Sequence, residues 1–300
     1  MIVYEGFSKR YGTLRAVESL DLTIGAAEVV ALLGPNGSGK TTALKAAAGL
    51  LRPTAGTVRI GAAGLPASAP EARRAISYLP QKVAFPDSCS GREIVDFYRA
   101  LRGAPPERVG EALRFANLNG AGTRAVGTYS GGMTQRLGLA VAMLPQAPVL
   151  LLDEPTAALD PAGLEAFHRL AEESRGAGRA VFFTSHQLGD VERLADRFAV
   201  LVEGRLVAAL TQRELQDRLS QRGALRVRLA EPTRAPLERL REIAPQSRLE
   251  GDTLVAPCPA AARPALLEAL RVSGMELLSL QTEEGRLDDL YRELVTEATS

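Results

Sequence analysis

The sequence predicts an α/β fold, in which a glycine loop joins a buried strand to a helix, followed by a small α+β unit. Three observations carry this. The apolar run Val29–Leu33 leads into Gly34, Pro35, Asn36, Gly37, Ser38, Gly39, Lys40, Thr41 and Thr42, and an Ala/Leu-rich helical pattern follows over 41–51. The run 149–155 reads Val-Leu-Leu-Leu-Asp-Glu-Pro, the pattern of a buried parallel strand whose C-terminal edge faces a site. Apolar strands and helical periodicity then alternate to about residue 215, as expected for a sheet with crossover helices, before shorter elements take over.

The nine residues from Gly34 to Thr42 fit G-x-x-x-x-G-K-[ST] between a strand and a helix. Gly37 and Gly39 let the backbone turn so that successive N–H groups and the helix N-terminus converge on phosphate oxygens. Lys40 supplies a mobile positive charge for β- and γ-phosphates, and Thr41 a hydroxyl for Mg²⁺. Asp153 is placed to hold Mg²⁺ through water, and Glu154, one residue on, to polarise a water attacking the γ-phosphate. An ordinary glycine turn with a surface lysine, and a strand stopped by two acids, are the plain alternatives. The complete motif, its flanks and the carboxylates together outweigh them.

With further segments in the expected order, these residues resemble the nucleotide-binding subunits of ABC transporters over roughly 2–215. The resemblance implies a P-loop NTPase ABC domain: a mixed sheet, an antiparallel β layer at the N-terminal side and a helical insertion over about 82–129. It implies that Tyr11 stacks on adenine. Gln81 would read the metal and attacking water and signal to a membrane partner, so that Thr41, Gln81 and Asp153 form the metal set. Tyr129-Ser130-Gly131-Gly132-Met133 matches the family signature, with Tyr where Leu is commonest and Met where Gln is commonest. Ser130, Gly131 and Gly132 keep the donors that would engage ATP held by an opposite subunit. Ala158-Leu159-Asp160 matches the loop that crosses between subunits, and His186 the switch histidine. Catalysis thus falls to Glu154, His186 and Gln81. One chain carries both half-sites, so a homodimer would hold two equivalent ATP sites.

Within the insertion, Ser90-Gly91-Arg92-Glu93 is a capping box, and Ile94, Phe97, Tyr98 and Leu101 follow on one helical face. An amphipathic core helix explains them, while in the family this region also receives the membrane subunit. His168 has no Cys or His nearby and reads as an ordinary residue.

Composition agrees. The chain has 300 residues, 46% of them hydrophobic, enough for a sizeable core and about two domains. A net charge of +1 offers no case for nucleic acid. Cys89 and Cys258 fit neither a metal motif nor a disulfide framework, which favours a reducing compartment. No signal peptide is expected, and the longest apolar stretch, 137–152, is interrupted by prolines and too short to span a bilayer.

After the ATP-binding domain (1–215) a polar linker is expected over 216–223, then a small domain over 224–300. Alternation suggests strands at 225–229, 253–255 and 276–280, with helices at 236–243, 261–270 and 287–295, an order that fits a ferredoxin-like sandwich. The closing helix resembles that of exporter-type ATPases with a small C-terminal domain. Segments 78–103 and 128–142 look most like the ATPase serving copper-site maturation of nitrous oxide reductase, and drug and sodium efflux ATPases share nearly all the same features. The chain lacks any metal-ligand cluster of its own, so copper or sulfur chemistry would belong to partners. The expected function is an ATPase subunit that dimerises and powers a multi-span permease, held by that partner at the cytoplasmic face of the cell membrane. A soluble ABC ATPase working with soluble partners, as in iron–sulfur cluster assembly, explains the same nucleotide site.

Overall fold

The computed structural model describes residues 1–157, 159–232 and 236–299. They form two compact units, built on Met1–Ala209 and on Leu210–Thr296. Unit one opens with β1 (Ile2–Tyr11), β2 (Leu14–Ile24), β3 (Val29–Leu33) and α1 (Lys40–Ala47). It continues through β4 (Ala55–Ile60), β5 (Leu65–Pro66), α2 (Pro70–Arg74) and β6 (Ile76–Leu79). An insertion follows, with α3 (Gly91–Leu101), α4 (Glu107–Phe115) and α5 (Gly131–Met143). The chain then returns through β7 (Val149–Leu152), α6 (Pro161–Gly176), β8 (Ala180–Ser185), α7 (Leu188–Leu194), β9 (Arg197–Val202) and β10 (Arg205–Thr211).

The central sheet has the order β10-β9-β3-β8-β7-β6, and β9, β3, β8, β7 and β6 run parallel. Every residue of β3, β7 and β8 is buried, which explains their uninterrupted apolar runs: helices or the second sheet cover both faces. Parallel pairing brings the C-terminal ends of β3, β7, β8 and β6 to one edge. The Gly34 loop, Asp153, His186 and Gln81 leave from that edge, where open α/β sheets bind ligands.

A four-stranded sheet, order β2-β1-β4-β5, forms the antiparallel layer, with β1 antiparallel to both β2 and β4. It packs through Tyr4 and Phe7 onto the core, and the Tyr4 hydroxyl donates to the Ala43 carbonyl at 2.8 Å, fixing this layer to α1. The helical pattern over 41–51 yields a shorter helix: α1 ends at Ala47, and the Gly49 and Leu50 N–H groups bond back to the Ala46 and Lys45 carbonyls. Leu50 is exposed as a result.

The Ser90 side chain accepts the Glu93 N–H while Glu93 accepts the Ser90 N–H, the complete capping box at the start of α3. The buried stripe of α3 differs from the expected one. Ile94 and Val95 are buried with Tyr98 packed beside them, whereas Phe97 and Leu101 are 63% and 67% exposed. The partner helices α4 and α5 lie on the side of Val95, so one edge of the apolar face is left bare.

In unit two, α8 (Gln212–Ser220) begins with a second capping box, Thr211 with Glu214, and buries Leu215 and Leu219. Then come β11 (Ala224–Leu229), α9 (Leu237–Ile243), β12 (Arg248–Glu250), β13 (Thr253–Pro257), α10 (Arg263–Val272), β14 (Leu277–Glu283) and α11 (Leu287–Thr299). The β-α-β-β-α-β order and the antiparallel sheet β12-β13-β11-β14 are those of a ferredoxin-like unit. Its core is Leu225, Val227, Leu229, Leu240, Leu254, Leu266 and Leu270.

Ser90→Ala removes the α3 cap and is expected to cost about 1 kcal/mol. A lower denaturation midpoint checks this; an unchanged midpoint would mean the cap contributes nothing.

Candidate functional site

The loop between β3 and α1 is shaped by two glycines. Gly39 has φ 104°, and a Cβ there would lie 2.3 Å from the Ala16 carbonyl oxygen. At Gly34 a Cβ would lie 2.2 Å from the Leu201 carbonyl oxygen. Only glycine permits both the left-handed turn and these approaches. The loop lines a cleft of about 460 Å³ together with Tyr11, Leu14, Ala16, Thr41, Thr42, Gln81 and Glu154.

Lys40 is nearly buried, and its ammonium donates to the Gly34 carbonyl at 2.7 Å and the Pro35 carbonyl at 3.1 Å. Burial lowers its pKa, and the charges of Glu154 and Asp153 oppose that shift. An anion in the cleft would offer the ammonium the partner these carbonyls only partly replace. Tyr11, at the end of β1, is half-exposed beside the cleft, with the Lys9 ammonium 5.1 Å from its ring centroid.

Asp153 lies just past β7 and is almost wholly buried. Its Oδ1 accepts from the Thr41 hydroxyl at 3.1 Å and the Thr184 hydroxyl at 2.9 Å, while Oδ2 is buried with no hydrogen-bond partner among the described residues. Desolvation raises its pKa, the hydrogen bonds from Thr184 and Thr41 oppose this, and the Glu154 charge raises it further. A buried carboxylate with one free oxygen next to a hydroxyl suits a hard cation also held by phosphates; no cluster of three or more His, Cys, Asp or Glu occurs among the described residues.

Glu154 follows with φ 46°, an uncommon conformation for a residue with a side chain. Its N–H donates to Thr184 Oγ1 at 2.7 Å. Its Oε2 accepts from Gln81 Nε2 at 3.0 Å and lies 3.5 Å from His186 Nδ1. Gln81, Glu154 and His186, from the ends of three neighbouring strands, therefore meet around one carboxylate oxygen at the mouth of the cleft.

Thr184 was not a sequence candidate, yet it joins Asp153 to the Glu154 backbone. A hydroxyl at the end of an otherwise apolar strand was the available signal. Tyr78 was also missed: its buried hydroxyl has no partner among the described residues, and burial and the Asp153 charge push its pKa up.

Ser130, Gly131, Gly132 and Asp160 do not line this cleft. Ser130 caps α5, its Oγ accepting the Met133 N–H at 3.2 Å, and Gly131 is exposed with open space where a Cβ would stand. Asp160 caps α6 by accepting the Gly163 N–H at 2.9 Å and pairs with Arg136 at 3.5 Å. Ala158, in the same predicted crossing loop, lies outside the described residues.

The ABC transporter family model matches residues 17–157. An uncharacterised ABC transporter ATP-binding protein of Bacillus subtilis, YxlF, is 40% identical over 212 residues, 69% of each chain. The Nod factor export ATP-binding protein I of Burkholderia orbicola is 33% identical over 302 residues, 92% of this chain and 98% of its own. The daunorubicin/doxorubicin resistance ATP-binding protein DrrA of Streptomyces peucetius is 36% identical over 240 residues, 78% of this chain and 72% of its own. Among solved structures, the dimeric ABC transporter cassette MJ0796 superposes with TM-score 0.65 at 27% identity, covering 71% of this chain and 99% of its own.

Thr184→Val keeps the side-chain shape and removes the hydroxyl, leaving the buried Glu154 N–H unsatisfied. A loss of about 1–3 kcal/mol in stability is expected, with Thr184→Ser near wild type; equal stability of Val and Thr would contradict the bridge. Because the folded-state pKa of Asp153 is raised, its charged form opposes folding at neutral pH, and this opposition fades as pH falls through that raised pKa. Asp153→Asn is thus expected to unfold at higher temperature than wild type at pH 7.5, with the difference shrinking at acid pH. A thermal shift of the opposite sign would contradict it.

Proposed function

This chain belongs to the ABC transporter ATP-binding family, and from that premise we propose that it binds MgATP in the Gly34–Thr42 cleft, closes against a second copy and hydrolyses ATP to drive a membrane permease of export type. The meeting of Gln81, Glu154 and His186 on one carboxylate oxygen beside a phosphate loop carries this reading. Lys40 and the loop N–H groups hold the β- and γ-phosphates, and Tyr11 supplies a stacking surface for the base. Thr41, Asp153 and Gln81 would hold Mg²⁺, which neutralises phosphate charge when bound. Glu154, fixed by Thr184 beneath and Gln81 beside, orients the attacking water, and His186 holds the γ-phosphate end of the site.

The helix N-terminus at Ser130, Gly131 and Gly132 is exposed and lies away from its own cleft, so its donors serve the nucleotide of the opposite copy. Asp160 stands at the start of α6 to meet that copy. The permease contact falls on the exposed Phe97 and Leu101 of α3, reached through the Gln81 segment. No helix among the described residues is long and apolar enough to cross a membrane; the proposed place at the inner face depends on the permease. We take the export class from the drug-resistance and Nod-factor relatives. Service to the copper sites of nitrous oxide reductase is a narrower proposal resting on segments 78–103 and 128–142, with cargo chemistry assigned to partner chains. The boundaries 1–215, 216–223 and 224–300 are likewise proposed as domain and linker limits.

Glu154→Gln keeps the shape of the carboxylate and removes its basicity. Turnover should fall by about 10²–10⁴, with a dimer accumulating in MgATP and dispersing without it. Sedimentation and phosphate release check both; normal turnover would refute the assigned role. A multi-span membrane protein co-purifying with this variant supports the transporter reading, and recovery of soluble partners alone favours the soluble ATPase.

A further inference from the structure

Helix α6 grips both shoulders of the turn that carries His186. On one side, Phe167 packs edge-on against Phe183 of β8, ring centroids 5.5 Å apart. On the other, His168 Nε2 lies 3.2 Å from Oδ1 of Asp190 on α7. The two contacts fall three residues before and four residues after His186 in the sequence, through neighbouring side chains of one helix. Both Phe residues are fully buried, and His168 and Asp190 are each 8% exposed. Asp190 Oδ2 is also buried and has no partner among the described residues, so the imidazole is the hydrogen-bond partner on which this carboxylate depends.

A buried carboxylate held by one hydrogen bond is an expensive way to fasten a seven-residue helix if packing alone were needed. An apolar pair would fasten α7 at lower cost, whereas the polar pair also sets its register on α6. That register matters because α7 starts at Leu188, two residues beyond His186, and α6 starts just beyond Asp160, on the segment that leaves Glu154. We propose that His168 and Asp190 are positioning residues for ATP turnover, holding the His186 turn in register with the Glu154 segment through α6. This rests on the ATPase reading above and adds residues that touch neither nucleotide nor water.

The test is ATP turnover and ATP affinity of the full chain with His168→Leu and His168→Gln. Leu keeps bulk and loses the hydrogen bond; Gln places a donor near the position of Nε2. Turnover is expected to fall about tenfold in His168→Leu with ATP affinity unchanged, and to recover in His168→Gln. Wild-type turnover in His168→Leu, or loss of turnover and affinity together without recovery by Gln, would overturn the proposal. Should His168→Leu fail to fold, Asp190→Asn carries the test: reduced turnover at unchanged affinity supports it, and wild-type turnover overturns it. Absence of turnover in the wild-type chain would instead strike the ATPase reading itself.

Discussion

The hydroxyl of Thr184, buried between the ends of β7 and β8, is the contact on which the site depends. It donates to Asp153 Oδ1 and accepts the Glu154 N–H, so one atom fixes both a carboxylate suited to a metal and the left-handed backbone that carries the next carboxylate, which lines the cleft. Asp153 in turn accepts from Thr41 at the first turn of α1, which links the phosphate loop to the neighbouring strands. Strain at Glu154 and desolvation of Asp153 both cost stability. The surrounding parallel strands, buried on both faces, hold them in place. Such costs are expected where function requires charge and geometry that folding alone would avoid.

Under the proposed reading, one chain supplies only part of the ATP site. The phosphate loop, Gln81 and Glu154 line the cleft, with Asp153 bonded to Thr41 and His186 beside Glu154, while Ser130 and Gly131 at the exposed N-terminus of α5 do not line it. Moving such a protein from mostly open to mostly closed takes about 5.5 kcal/mol of differential binding. Contacts formed only across the closed pair can provide it; contacts within one chain exist in both states and cannot. Gln135 and Arg136 of α5 reach the Pro155 carbonyl and Asp160, so α5 is tied to the segment that follows Glu154.

Much of this was legible from residue order. The phosphate motif fixes its own backbone because Gly34 and Gly39 admit no side chain, and the Val149–Leu152 run announces its burial. The ferredoxin-like order was legible apart from β12, whose three residues Arg248, Leu249 and Glu250 carry no apolar period. The buried stripe of α3 excludes Phe97 and Leu101 and takes in Val95, since helical spacing permits adjacent stripes and only the packing of α4 and α5 chooses. Thr184, His168 and Asp190 were opaque for a different reason. Their roles depend on which elements lie beside them in space, and an isolated Thr or His does not encode that.

Completion of the proposed ATP site by a second copy is checked by the specific ATPase activity of the purified chain as its concentration is lowered. Activity per mole is expected to fall toward zero on dilution, with a second-order dependence at low concentration. Activity per mole that stays constant on dilution would show that one chain suffices and would contradict it.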